Sequence, residues 1–520
     1  MESTNELEDI TENPTRLLGS KIIPLTYALI IGHLLLNFLG TPLLKYYYVL
    51  EVIFFLICAI IYPLSHIIIP IFALFFIEGQ GRILWDYHPV FRVIFDFTLF
   101  IALLKSLAVN NTLVPKNSLP TIILLTIFGH FCWYIIQIFN ISSVGLVGVI
   151  GASKIYIFPL LMFFMLLANS ISSNKKILQQ LQYFTLFMFI SESLLIIFQM
   201  GVKEGHLLKI SPFYSYAMKN NIFIAETFRP FGTSYLPGGF STYMFLTVGL
   251  LFLVPMKNTF HRLVTTSAIG LSWFCLFLMQ VRSTFAKQMA IIFLIQIFLF
   301  ITSKFKFKTF IKFGVLFVAL FAYLLTLPNI ADFFPTLDLE QSIDRVSIFS
   351  NLEKIKSARL NPAVFYDTIT KKLSENPLGL GPGRTGAATN LSLDIIMSDP
   401  LWDERSSWSS DNLFISLSID LGLGMFFYSI LILSFPILLL NYAFSFYRKR
   451  EINNFRITLI SGIVTLVILA GNWGAVGIPY NPESFMFWFW TALGFNKKRE
   501  ADLSDEMNKR KIKETVTINA

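Results

Sequence analysis

The sequence predicts an all-α integral membrane protein: a polytopic bundle of about twelve to fourteen transmembrane helices with one large loop outside the membrane. Three observations point there. Hydrophobic residues make up 55% of the chain and charged residues only 14%, against roughly a quarter charged in soluble domains. Apolar runs of about 18 residues or more, enough to cross a bilayer as a helix, recur along nearly the whole sequence. The basic residues gather at the ends of those runs, as they do in membrane proteins.

Reading the apolar runs between polar breaks places helices at 22–39, 43–62, 64–78, 90–108, 119–140, 155–172, 183–201, 239–255, 263–281, 284–302, 310–327, 412–440, 456–474 and 483–495. The second and third share a tight break at Tyr62-Pro63. Orientation follows from lysine and arginine in short loops. The stretches SNKKILQQ (173–180), PMKNTFHR (255–262), SKFKFKTFIK (303–312), FYRKREINNFR (446–456) and NKKRE (496–500) are basic. With the N-terminus inside, all five fall on the cytoplasmic side. The chain then divides into a cytoplasmic N-terminal tail (1–21), a transmembrane bundle (22–327), a large periplasmic loop (328–410), C-terminal transmembrane helices (411–495) and a cytoplasmic C-terminal tail (496–520). The opening MESTNELEDITENPTR is acidic and polar, which does not suit a cleaved signal peptide.

Several function classes drop out. The net charge of +9 sits beside apolar spans, so it does not indicate nucleic-acid binding. Cys58, Cys132 and Cys275 lie within apolar runs and form neither a disulfide framework nor a metal spacing. The six histidines are scattered without a ligand pair. Within ENPLGLGPGRTG (375–386), Gly381-Pro382-Gly383-Arg384-Thr385-Gly386 spells GxGxxG. A dinucleotide turn needs a strand before it and a helix after it. Here NPAVFYDTITKKLSE, an amphipathic helix pattern, comes first, and a stretch without period follows.

The chemistry-bearing residues fall on the outer side. ETFRPFGTSYLPGGFSTYMF (226–245) carries Arg229 and Pro230 before a turn at Gly232. QVRSTFAKQ (280–288) places Arg282 in a very short hairpin, where the positive-inside tendency makes an arginine less expected. It puts Lys287 inside the next span, where a charge calls for a polar cavity. The long loop carries eleven acidic and eight basic side chains, unlike the basic inner loops. Arg345 and Arg359 sit on its amphipathic stretches, with a solvated face the simpler reading for Arg359. After the glycines, SSWSSDNLFISLSIDLGLG returns the chain to the membrane at Asp411-Asn412. Ser410 or Asp411 would serve there as a helix N-cap, and Gly422 and Gly424 would permit close helix packing.

This ordered set resembles the O-antigen polymerase and O-antigen ligase (Wzy/WaaL-like) membrane glycosyltransferases. It comprises an Arg-Pro-x-Gly loop, an arginine hairpin, a long outer loop, NPLGLGPG for the family's NPxxGxGxG, and a polar-Asn re-entry with LGLG. The resemblance covers roughly residues 180 to 495, including the closing NPESFMFWFWTALG. It implies a GT-C-like bundle in the bacterial inner (plasma) membrane that moves a glycan from undecaprenyl diphosphate to a sugar hydroxyl on the outer face. The implied partners are the lipid-linked glycan and the bilayer, with a chain-length regulator and a flippase among those it admits. No cofactor and no metal are implied. Ligases carry a histidine before the re-entry asparagine; here Asp411 stands there, and no histidine follows His261. The polymerase is therefore favoured, with the ligase as alternative.

A leaving diphosphate calls for arginines, whose planar forks grip phosphate oxygens. Arg282, Arg229 and Arg345 are the candidates, with Lys287 as a further point charge. The acceptor hydroxyl needs a base, for which Asp411 is best placed, ahead of Asp403 and Glu404. Gly381, Gly383 and Asn412 are expected to line the substrate site. Trp402 and Trp408 fit interfacial anchors better than sugar platforms. A transporter is the rival class, disfavoured because no internal repeat is visible and the charges cluster near the outer surface rather than at the midplane.

Overall fold

The structure, a computed structural model, describes residues 14–110, 118–140, 145–169, 171, 174–222, 228–235, 239–255, 258–279, 281–302, 362–383, 412–472, 478 and 483–518. Among these residues there are helices and turns but no strand. In chain order the helices are α1 (Pro14–Leu39), α2 (Leu44–Ile61), α3 (Leu64–Leu84), α4 (Pro89–Asn110), α5 (Thr121–Ile136), α6 (Gly145–Tyr156), α7 (Phe158–Ala168), α8 (Lys175–Ile210) and α9 (Tyr214–Ile222). They continue with α10 (Phe240–Thr247), α11 (Thr259–Leu278), α12 (Arg282–Thr302), α13 (Pro362–Glu375), α14 (Leu413–Leu421), α15 (Met425–Arg448), α16 (Ile452–Gly471) and α17 (Glu483–Ile518). Among the described residues, eight helical segments are long and apolar enough to cross a membrane, so the chain is a multi-pass membrane protein.

Each expected span except 310–327, which lies outside the described residues, coincides with helix, but the boundaries differ instructively. Tyr62 is extended and Pro63 opens α3, so the tight break separates two helices. The span expected at 155–172 is two helices joined at Ile157, with Pro159 in the first turn of the second. The one expected at 239–255 shortens to α10 and a 3-10 turn, Val248–Phe252. The one expected at 412–440 breaks at Gly422–Gly424. Most consequential is α3, which runs six residues past its expected end and carries Glu78, Gln80 and Arg82 into the bundle.

Burial sorts the helices into inner and outer. In α3, 94% of the membrane-spanning window is buried, against 33% in α1 and α5; α3 is therefore a central helix. On α15, Phe426, Ile430, Leu433, Ile437 and Phe444 are exposed at helical spacing. That stripe is the face such a helix turns to lipid. The core is strongly aromatic: Phe72, Phe75 and Phe95 pack around Phe485, and Trp488 wedges against Phe163 and Phe435. The helix ends near residues 39, 84, 140, 210, 279, 413 and 472 gather at one end of the bundle. Cross-contacts tie that end together: His206 Nε2 lies 2.7 Å from the Asn37 carbonyl, and the Leu413 N–H donates to the Asn472 carbonyl at 3.2 Å.

Candidate functional site

The glycine stretch reaches its place because three residues adopt positive φ: Gly379 (80°), Gly381 (90°) and Gly383 (96°), a region open mainly to glycine. Amphipathic α13 ends just before it, as its sequence suggests. The turn lies on the break between α14 and α15. Leu380 N–H donates to Ile419 O at 2.7 Å and Leu423 N–H to Pro377 O at 2.8 Å. Gly422, at φ 54°, brings the two backbones into contact. Side chains from the N-terminal third complete the clamp. Trp133 Nε1 donates to Leu421 O at 2.8 Å, Gln137 Nε2 to Leu378 O at 2.9 Å and Asn140 Nδ2 to Gly379 O at 3.0 Å. Gly383 N–H donates to Asp420 Oδ2 at 3.3 Å, an oxygen that also accepts from Tyr156 OH at 2.7 Å. The Gly383 amide is thus engaged by a buried acid of the bundle. Asp420 escaped the sequence reading, although an acid within an apolar span was the available signal.

The Arg-Pro-x-Gly loop packs into the bundle: Phe231, Gly232, Thr233 and Ser234 are buried. Gln199 Oε1 accepts both the Phe231 N–H (3.0 Å) and the Gly232 N–H (2.8 Å). Thr233 inserts into α3. Its carbonyl accepts the Gln80 N–H at 2.7 Å, and its Oγ1 lies 2.7 Å from Phe76 O and 2.5 Å from Glu192 Oε1. Thr233 thus docks on the Phe76–Gln80 turn of α3, where its carbonyl takes the Gln80 N–H. Gly79 permits the approach, since a Cβ there would stand 2.8 Å from Tyr235 N. Behind the loop, Gln80 Nε2 donates to Asn37 Oδ1 (2.6 Å) and to Tyr214 OH (2.8 Å). His33 bridges Glu51 (2.7 Å) and Gln80 (2.8 Å). Polar groups buried in apolar surroundings are costly unless paired in this way.

Two ion pairs flank the loop. Glu78 takes Arg82 in a fork, with Nε 3.1 Å from Oε2 and Nη2 2.8 Å from both carboxylate oxygens. The Arg82 guanidinium lies over the Tyr235 ring at 4.9 Å. Lys154 pairs with Asp96 at 2.5 Å, and both act on Glu78 electrostatically. Burial pushes the Tyr235 phenol above its ordinary range; the Arg82 charge opposes this, while Glu78 and Glu483 reinforce it. Tyr235 is therefore a neutral hydrogen-bond donor near neutral pH.

The other expected residues are placed as follows. Arg229 Nε donates to Met279 O at 3.0 Å, which joins its loop to the arginine hairpin. Arg282 is the first residue of α12. Lys287 is half-buried, over the Phe245 ring at 4.8 Å, with its stem against Gly471. Next to Gly471, Asn472 Nδ2 donates to Glu483 Oε2 at 3.3 Å. Asn412 caps α14, its Oδ1 accepting from Phe414 N–H (2.9 Å) and Ile415 N–H (3.2 Å). The cap expected of Ser410 or Asp411 thus belongs to Asn412. Losing such a cap costs about 1 kcal/mol. Asn412→Ala is expected to lower thermal stability by that order and Asn412→Ser to restore it, as read by a melting curve in detergent. Asp411, Arg345, Arg359, Asp403, Glu404, Trp402 and Trp408 lie outside the described residues.

The expected site residues lie between 226 and 412, and the N-terminal third of the sequence reads only as helix. The structure adds Glu78, Arg82, Asp96, Lys154, Tyr156 and Glu483 to the same end of the bundle. No protein-family model matches the chain, and no curated protein matches it.

Proposed function

We propose that this protein is a polysaccharide polymerase of the bacterial inner membrane. It would transfer an undecaprenyl-diphosphate-linked glycan to a sugar hydroxyl of another lipid-linked repeat unit on the outer face. The observation that carries this reading is the gathering of the motif segments at one end of the bundle. The Arg229 side chain bonds the Met279 carbonyl, three residues before Arg282, the glycine turn rests on the LGLG break, and the re-entry joins the closing segment through Leu413, Asn472 and Glu483. An enzyme acting on a carrier lipid's headgroup needs its groups at the bilayer surface, and these segments lie at helix ends. A GT-C-like scaffold with a large periplasmic loop belongs to the same proposal.

In this reading Arg282, Arg229, Arg345 and Lys287 stabilise the negative charge that grows on the diphosphate as the glycosidic oxygen leaves. Asp411 takes the proton of the attacking hydroxyl. The bond from the anomeric carbon to the carrier phosphate breaks and a new glycosidic bond forms. The proton goes to the carboxylate, and undecaprenyl diphosphate departs.

Deleting the gene and resolving surface glycans on a gel tests the proposal. A ladder collapsed to a single repeat is the expected result. Carrier-bound full-length polymer would instead favour a ligase, and an unchanged ladder would end the glycosyltransferase reading.

A further inference from the structure

The cations invoked above all come from residue 229 onward. Arg82 lies on central α3, outside every segment that carries the resemblance, yet it reaches the same end of the bundle. Its geometry is that of a held fork. Nε and Nη2 are fixed on Glu78, and Tyr235 covers one face of the guanidinium plane. The Nη1 edge has no hydrogen-bond partner among the described residues, and the side chain keeps 16% of its surface exposed. A guanidinium locked on one edge and open on the other is organised in advance for an oxyanion.

Two neighbours extend the site. The Tyr235 hydroxyl has no hydrogen-bond partner among the described residues. Lys154 is 41% exposed, and its partner Asp96 is largely buried, so its flexible stem can turn from Asp96 towards an incoming anion. Two cations face Glu78 and Asp96 here, with Glu483 also within electrostatic reach of Tyr235, so the resting cluster carries no net positive charge. A single carboxylate ligand gains little in such a setting. A phosphoryl group, with a charge of about −1.5 to −2 and three strong acceptor oxygens, can engage the open fork and draw Lys154 across as well.

We propose that Arg82, held by Glu78 and Tyr235 and flanked by Lys154, binds a phosphoryl oxyanion at this end of the bundle. The inference deepens the polymerase reading and rests on it only for the source of that group, the carrier lipid's diphosphate.

The test uses the full-length protein in detergent, titrated by calorimetry with inorganic diphosphate and, separately, with a long-chain polyprenyl diphosphate. Arg82→Ala would strand a buried carboxylate, so the informative variant is Glu78→Gln/Arg82→Gln. It removes both charges while keeping side-chain size. This variant is expected to elute and melt like the wild type and to bind diphosphate roughly ten- to a hundredfold more weakly, the loss of one charged hydrogen-bonding group. Arg82→Lys should fall between the two. Tighter wild-type binding of the polyprenyl diphosphate supports the site and assigns it to the carrier lipid. Equal affinity for both ligands, still lost in the double variant, supports the site as one for a free phosphoryl anion and counts against the carrier-lipid reading. Wild-type affinity in the double variant, or no binding to the wild type, overturns the proposal.

Discussion

Gly422→Ala is expected to detach the 376–383 turn from the bundle while the surrounding helices stay folded. Gly422 sits at φ 54°, where a side chain costs about 1–2 kcal/mol. The three atoms nearest the added Cβ would be backbone, from Pro377, Leu378 and Gly379, and no rotamer change moves those. The two chains must separate. Separation breaks the Leu380–Ile419 and Leu423–Pro377 hydrogen bonds and pulls the Leu378 and Gly379 carbonyls from Gln137 and Asn140. At about 0.5–1.5 kcal/mol each, those losses exceed what a short turn can absorb. Amide hydrogen exchange over 376–383 reads the result: protection in the wild type, none in the variant. Gly270→Ala is the control, because nothing stands within 4 Å of the added carbon there. Retained protection in Gly422→Ala would show that the contact is softer than its geometry indicates.

Arg282→Ala is expected to abolish polymer while protein level and membrane insertion stay unchanged. Arg282 opens α12 three residues after Met279, whose carbonyl accepts the Arg229 guanidinium. The hairpin and the arginine loop therefore share one place. Removing a group that stabilises developing charge in a transition state costs about a hundred- to a thousandfold in rate, enough to erase a ladder. Arg282→Lys should keep part of the activity, since it retains the charge and loses the fork. An immunoblot of membranes beside the glycan gel separates lost chemistry from lost protein. Unchanged polymer length in Arg282→Ala would remove this arginine from the proposed mechanism.

The helices were legible because lipid imposes length and apolarity on each span, and local windows read both. The Tyr62-Pro63 break and amphipathic α13 came through for the same reason: their signals lie within a few residues. What stayed hidden depends on distant partners. Glu78, Gln80 and Arg82 look like the polar end of a span until Tyr214, Thr233 and Tyr235 come into view, well over a hundred residues later. The Arg-Pro-x-Gly loop looks like a surface turn because its buried amides are satisfied by Gln199 and Glu192, polar groups inside an apolar helix. The glycine pattern announced a close backbone approach but not the partner. Trp133, Gln137 and Asn140 complete the clamp from a region with no motif of its own.

The insertion of Thr233 into α3 bears on biogenesis. A helix leaving the translocon alone closes each of its own backbone bonds, since an open pair in hydrocarbon costs several kcal/mol. Residues 76 and 80 therefore bond to each other first. At about 5–20 residues per second, residue 233 follows them by roughly ten to thirty seconds. The early helix must then offer its Gln80 N–H to the newcomer's carbonyl. Maturation of the interior thus adds partners after insertion, and a ribosome stalled before residue 233 would leave this turn of α3 without its Thr233 contact.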